Sequence, residues 1–100
     1  MYQYSVTVVR WLDGDTVELI ADLGFNTSLK EKFRLFDPAR YIDTPERGEP
    51  GWAEAKELSN TYYPPGKTLV ANTYKKDKYG RWLVHLPDLV TLLDSHGFLK

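Results

Sequence analysis

Residues 4–36 read YSVTVVRWLDGDTVELIADLGFNTSLKEKFRLF, and the pattern of this stretch decides the predicted fold. Three runs within it are rich in β-branched and aromatic residues: 4–12, 16–23 and 29–36. A turn that contains glycine separates each run from the next. Runs of this composition between such turns are typical of strands joined by hairpins. The first third of the chain is therefore predicted to be a three-stranded meander.

The remaining two thirds of the chain continue as two helices and two further strands. Apolar residues recur at helical spacing over 51–62, strand-like runs follow at 68–74 and 81–86, and 89–96 has the pattern of a closing helix. Asp88 is the predicted N-cap of that last helix. The order β-β-β-α-β-β-α predicts an α+β fold: a five-stranded OB-type β-barrel with a helix between strands 3 and 4 and a C-terminal closing helix.

The composition fits one globular domain that spans residues 1–100. Hydrophobic residues make up 42% of the chain, which is enough for a packed core, and the formal net charge is only −1. A phosphate-binding function must therefore come from a local cluster of charges. The absence of cysteine excludes disulfides, thiolate metal sites and cysteine nucleophiles. The chain has neither a signal-peptide pattern nor an apolar run of about 20 residues, so a cytoplasmic protein outside the membrane is expected, with a secreted mature form left open.

Three short polar segments carry the residue types of a catalytic site: DGDT at 13–16, DTPE at 43–46 and DKYGR at 77–81. Each has a structural interpretation when taken alone. The first fits a tight turn, the second a helix start with a capping box, and the third a solvated hairpin turn. Taken together, they indicate carboxylates for a hard divalent cation such as calcium and arginines for a phosphate group.

The strings DGDTVEL, FRL, IDTPE and KYGR occur in this order, with the first predicted helix between the last two. In this arrangement they resemble the staphylococcal nuclease (thermonuclease) family, and the match extends from about Val8 to Leu99. The resemblance implies a calcium-dependent endonuclease with a Ca²⁺ cofactor. Its substrate would be single-stranded or frayed DNA or RNA, cut to leave a 3′-phosphate and a free 5′-hydroxyl.

The same resemblance implies a metal site and a base. The side chains of Asp15 and Asp43 and the carbonyl of Thr44 would bind calcium. Asp13 would support the metal site from behind these ligands or through water. Glu46 would orient or deprotonate the attacking water.

Four further side chains are implied to contact the substrate. Arg34 and Arg81 would hold the scissile phosphate and stabilise the five-coordinate transition state. Lys78 and Tyr79 would touch a neighbouring phosphate.

The chain departs from the family pattern between FRL and IDTPE. Arg34 precedes Asp43 by nine positions, whereas the family arginine precedes the corresponding aspartate by five. The four extra residues are expected within 36–40, and Pro38 predicts that they loop out of the strand. An even insertion preserves the alternation of faces, so Arg34 and Asp43 are expected on the same side. Arg40 is an alternative candidate for the phosphate clamp.

Two alternatives to an active nuclease remain open. The chain could be a catalytically inactive OB-fold module that binds nucleic acid, or an engineered or fragmentary scaffold that keeps the motifs without their geometry. Asp15, Asp43 and Glu46 favour catalysis, because a pure binder has no need of carboxylates that repel phosphate. The sequence is compatible with a monomer or a homodimer. Many members of the family carry a third helix after the second, and dimerisation would compensate for the stability that such a helix provides.

Overall fold

The structure is a computed structural model, and it describes residues 2–75 and 80–99. Within these residues the chain forms five strands and two helices. In chain order they are β1 (Tyr2–Asp13), β2 (Thr16–Gly24), β3 (Thr27–Leu35), α1 (Trp52–Tyr62), β4 (Thr68–Tyr74), β5 (Trp82–His85) and α2 (Pro87–Ser95). The predicted order β-β-β-α-β-β-α is confirmed. No helix in the described ranges has the length and apolar character needed to cross a membrane.

The five strands close into a barrel in the order β1-β2-β3-β5-β4, and β4 pairs with β1 to complete the ring of hydrogen bonds. Strands β3 and β5 pair in parallel, while the other four pairs are antiparallel. A parallel pair needs a long crossover, and here α1 and β4 supply it. The predicted barrel, with one helix between strands 3 and 4 and one closing helix, is confirmed.

The core lies inside the barrel because the strands alternate buried and exposed residues. In β1, for example, Val6 and Val8 are buried. Helix α2 adds three fully buried side chains to the same cluster: Leu89, Val90 and Leu93. Burial of each such side chain contributes about 1.5–3 kcal/mol. The barrel and α2 therefore share one hydrophobic core.

Helix α2 begins two residues earlier than the sequence pattern predicts. Leu86 occupies the N-cap position without a side-chain cap, and Pro87 lies in the first turn. The prediction that Asp88 is the N-cap is therefore wrong. Proline suits this position because its fixed φ is already helical and it has no N–H to satisfy. Asp88 lies inside the first turn, where its charge interacts favourably with the positive end of the helix dipole.

The four extra residues after β3 leave the sheet, as Pro38 predicts. β3 ends at Leu35, and the chain returns to the barrel at Ile42, which forms an isolated bridge with Leu99. The backbone N–H of Asp43 is hydrogen-bonded to the segment after α2. The segment that carries IDTPE is therefore attached, directly after the insertion, to the residues that follow α2.

Candidate active site

A cavity of about 1070 Å³ opens beside the turn between β1 and β2. Seven residues that the sequence predicts for the site line it: Asp13, Asp15, Arg34, Asp43, Thr44, Glu46 and Arg81. They belong to four separate parts of the chain, namely the β1–β2 turn, the end of β3, the segment after the insertion, and the residue before β5. The fold therefore brings together side chains that are far apart in the sequence.

Three further residues are predicted for the site. Lys78 and Tyr79 lie outside the described residues. Arg40 points elsewhere: its Nη2 is 3.2 Å from Oδ2 of Asp37, and its Nη1 donates to the hydroxyl of Thr91 at 3.4 Å. Of the two candidate arginines, the structure places Arg34 at the cavity.

Helix α1 holds the β1–β2 turn in place. The buried hydroxyl of Ser59 donates to the carbonyl of Gly14 at 2.7 Å. A Cβ atom on Gly14 would lie 2.8 Å from Cβ of Ala55, so only glycine permits the helix to approach this closely. Nε1 of Trp52 donates to Oδ1 of Asp13 at 2.7 Å. The helix therefore fixes both the backbone of the turn and one of its carboxylates.

Asp15 lies in the cavity wall with 13% of its side chain exposed. Burial raises the pKa of its carboxyl group, and the nearby carboxylate of Asp13 raises it further. Arg34 lowers this pKa through its Nη2, which lies 3.6 Å from Oδ2 of Asp15, and the hydroxyls of Thr44 and Thr16 also lower it. The pKa of Asp15 nevertheless stays above its usual value. Additional positive charge in the cavity would therefore stabilise the ionised carboxylate.

Thr44 is buried, and its Oγ1 has no hydrogen-bond partner among residues 2–75 and 80–99. The hydroxyl nevertheless lies close enough to Asp15 to lower the pKa of that carboxyl group. A buried hydroxyl left without a partner costs about 1–3 kcal/mol. Such a group on the wall of a cavity fits a site in which a further ligand completes its contacts.

Arg34 extends from β3 towards the carboxylates. The register of the sheet places it opposite Thr16, at the start of β2. Its Nη2 donates to the carbonyl of Ile42 at 3.3 Å, which ties it to the segment after the insertion. Asp43 lines the same cavity, as an even insertion predicts.

Glu46 is exposed to solvent at the cavity. A carboxylate oxygen of Glu49 accepts the backbone N–H of Glu46 at 2.6 Å, and the N–H of Glu49 donates to the carbonyl of Glu46 at 2.9 Å. These two bonds fix a turn around the backbone of Glu46. Helix α1 begins only at Trp52, so the alternative that 43–46 starts a helix with a capping box is wrong.

Negative charge dominates the cavity. Among residues 2–75 and 80–99, five carboxylates and two guanidinium groups line it. A phosphodiester approaching this wall would be repelled unless a cation offset part of that charge. No group of three acidic or histidine side chains within the described ranges is arranged to hold a metal ion. The donor types, carboxylate and main-chain oxygens, are nevertheless those that calcium prefers.

The sequence pattern does not predict three further lining residues: Thr16, Tyr41 and Glu49. Thr16 belongs to the DGDT string and Glu49 follows the DTPE string, so proximity to a motif is a signal that could find both. Tyr41 carries no such signal. It reaches the cavity from the loop that connects β3 to the bridge at Ile42.

Comparison with models of known protein families finds no family that matches the chain, and no curated protein matches it either. The function is therefore argued from the geometry and chemistry of the site.

Proposed function

We propose that this chain is a calcium-dependent nuclease that hydrolyses single-stranded or frayed DNA or RNA to 3′-phosphate products. One observation carries the proposal, the convergence on a single cavity of Asp15, Asp43, Glu46, Arg34 and Arg81. Phosphodiester hydrolysis needs an activated water and positive charge around the phosphoryl oxygens. This set of side chains offers a base for the first need and cationic groups for the second.

Calcium would be held by the side chains of Asp15 and Asp43 and by the carbonyl of Thr44. Burial raises the pKa of Asp15, and a bound cation would favour its ionised form. When bound, the ion supplies positive charge to the phosphoryl oxygens.

Glu46 is the proposed general base. Its exposed carboxylate can reach solvent water, and the hydrogen bond from its N–H to Glu49 limits the movement of its backbone. In the proposed reaction Glu46 takes a proton from water as the water oxygen bonds to phosphorus. The bond from phosphorus to the 5′-oxygen breaks, which leaves a 3′-phosphate and, after protonation, a 5′-hydroxyl.

Arg34 and Arg81 are the proposed phosphate clamp. A guanidinium group can donate two parallel hydrogen bonds to a phosphate. Within the described part of the chain, Arg34 uses Nη2 for its contacts with Asp15 and the Ile42 carbonyl. Its remaining N–H groups are the ones proposed to face the substrate.

An inactive nucleic-acid-binding module is the second candidate. The strand order β1-β2-β3-β5-β4 supports a barrel of the OB type, which often binds oligonucleotides. The lack of a ready metal cluster in residues 2–75 and 80–99 favours this candidate. The excess of carboxylates on the cavity wall favours the nuclease, because it opposes phosphate binding without a cation.

The test is cleavage of a single-stranded oligonucleotide in calcium and in a chelator, with Glu46→Gln and Glu54→Gln as matched variants. Glu54 is exposed in the first turn of α1 and does not line the cavity, so its substitution controls for the loss of one carboxylate. We expect calcium-dependent cutting by the parent and by E54Q. E46Q should be slower by about 10²–10⁴-fold, the usual contribution of a general base.

Calcium titration calorimetry separates loss of chemistry from loss of the metal. E46Q should bind calcium as the parent does, while Asp15→Asn should bind it more weakly. Equal cutting rates in calcium and in chelator would exclude the nuclease proposal. Oligonucleotide binding by folded protein without any cleavage would select the binding module instead.

A further inference from the structure

A second groove, of about 700 Å³, lies between β1 and α1. Asp13 lines both this groove and the candidate active site, so the two are adjacent. Among the described residues, three cationic side chains line the groove: Arg10, Arg47 and Lys56. Its charge therefore differs from that of the carboxylate-rich cavity beside it.

Trp52 organises two of these cations. The guanidinium carbon of Arg47 is 5.9 Å from the centre of the Trp52 ring, and Nζ of Lys56 is 5.0 Å from it. The indole is itself fixed, because its Nε1 donates to Asp13. Each cation–π contact at such a partly exposed site contributes about 0.5–1 kcal/mol. The ring therefore positions two positive charges, each within 6 Å of its centre, at the wall of the groove.

Neither of these two cations is neutralised by a salt bridge within the described ranges. Arg10, by contrast, is 3.4 Å from a carboxylate oxygen of Glu18. The carboxylates of the groove already have other partners, since Asp13 accepts from Trp52 and Glu57 accepts from the hydroxyl of Thr61 at 3.3 Å. Arg47 and Lys56 thus remain available for an anion from outside the protein.

We propose that Arg47 and Lys56, held on Trp52, bind a phosphate of the polynucleotide strand next to the nucleotide that is cut. This inference rests on the proposed nuclease function. Arg47 directly follows Glu46, and these neighbours line different hollows: Glu46 the acidic cavity and Arg47 the basic groove. A strand whose scissile phosphate lies beside Glu46 therefore continues over Arg47.

The proposal makes substrate length a determinant of affinity. A dinucleotide fills the cavity but does not reach the groove, whereas an oligonucleotide of eight residues reaches both. Salt weakens the binding of single-stranded nucleic acid. The logarithm of the binding constant falls with the logarithm of the salt concentration, with a slope of about −0.7 for each neutralised phosphate. The groove should therefore contribute both affinity and salt dependence, and only for the longer ligand.

The experiment measures binding in calcium by fluorescence anisotropy, using a labelled oligothymidylate of eight residues and the labelled dinucleotide. All proteins carry Glu46→Gln to prevent cleavage. The test protein adds Arg47→Gln and Lys56→Gln. The control protein adds Lys67→Gln, an exposed lysine that lines neither the cavity nor the groove. Urea unfolding verifies that the three proteins are equally stable.

We expect the test protein to bind the octamer about tenfold more weakly. The slope of its binding constant against salt concentration, both as logarithms, should become shallower by about 0.7–1.4, as for one or two lost phosphate contacts. Dinucleotide affinity should not change, and the control should match its parent for both ligands. An unchanged octamer affinity, or an equal loss for both lengths, would overturn the groove proposal alone. If no protein bound either ligand although all were folded, the cavity would not be a nucleotide site, and both proposals would fail.

Discussion

Two aspartates, the partly buried Asp15 and the buried Asp37, each lie close to an arginine. Asp15 has Arg34 at 3.6 Å, and Asp37 has Arg40 at 3.2 Å. Burial raises the pKa of both carboxyl groups. The net pKa of Asp15 is raised above its usual value, whereas that of Asp37 is lowered. The presence of a nearby arginine therefore does not explain why the two pKa values shift in opposite directions.

The difference lies in the hydrogen bonds to each carboxylate. Asp37 accepts the N–H of Ala39 at 2.8 Å, Arg40 at 3.2 Å and Nε2 of His85 at 3.3 Å. These bonds favour the ionised form and outweigh the effect of burial. Asp15 has the hydroxyl of Thr16 at 3.3 Å.

Asp37 therefore has the contacts of a structural residue that folds the inserted loop against the barrel. Asp15 has fewer hydrogen bonds of this kind, so the effect of burial on its pKa is not fully offset. A sequence containing two aspartates near two arginines does not reveal this distinction.

The largest effect is expected from Asp37→Asn, which breaks the structural half of the comparison. The amide keeps an oxygen for the N–H of Ala39 but loses the charge that Arg40 and His85 contact. We expect a loss of about 2–3 kcal/mol in the free energy of unfolding at neutral pH, the scale of hydrogen bonds to a charged group. Urea unfolding measures this loss.

The loss of stability caused by D37N should also depend on pH. The folded pKa of Asp37 is below the usual value of 3.8, so its stabilisation is fully present above about pH 4. It disappears as the pH falls through the lowered folded pKa. The difference in stability between parent and D37N should therefore shrink in acid. A difference that stayed constant down to pH 2 would mean that Asp37 acts by packing and not by charge.

A smaller effect of the opposite sign is expected from Asp15→Asn without metal. The folded pKa of Asp15 is raised, so the metal-free protein loses stability as the pH rises from about 4 through that folded pKa. D15N removes this loss. We expect a gain on the order of 1 kcal/mol at neutral pH in a chelator, because a buried charge that is poorly paired opposes folding.

Calcium should reverse the order of the two proteins. The melting temperature of the parent should rise when calcium is added, and that of D15N should rise much less. Thermal unfolding in chelator and in calcium gives both numbers from one preparation. A D15N protein that is less stable than the parent in chelator would show that the contact with Arg34 outweighs burial.

Much of the fold was predictable because its signals are local. The strands alternate with a period of two and the turns contain glycine, so the order of elements follows from short stretches of sequence. The start of α2 differs because Pro87 competes with Asp88 for the first positions of the helix. Closure of the barrel through the β3–β5 pair is a long-range contact, and no short pattern encodes it.

The residues of the candidate site could be predicted where they belong to a recognisable motif. Seven of the predicted site residues meet in one cavity, yet the choice between Arg34 and Arg40 depended on a loop whose path the sequence does not specify. In the structure Arg34 lines the cavity, whereas Arg40 contacts Asp37. The role of Trp52 was missed because its partner Asp13 lies 39 positions away.

The smallest effect is expected from His85→Phe, which tests how the contacts of Asp37 share its stabilisation. His85 lies in β5, 48 positions from Asp37, and phenylalanine keeps a ring in a strand position while removing the donor. Oδ2 of Asp37 retains Arg40, and Oδ1 retains the N–H of Ala39. We expect a loss of about 0.5–1 kcal/mol in urea unfolding, as for one hydrogen bond among several. If H85F lost as much as D37N, the loop would be held through His85, and the local hydrogen bonds within 37–40 would not explain why Asp37 and Asp15 differ.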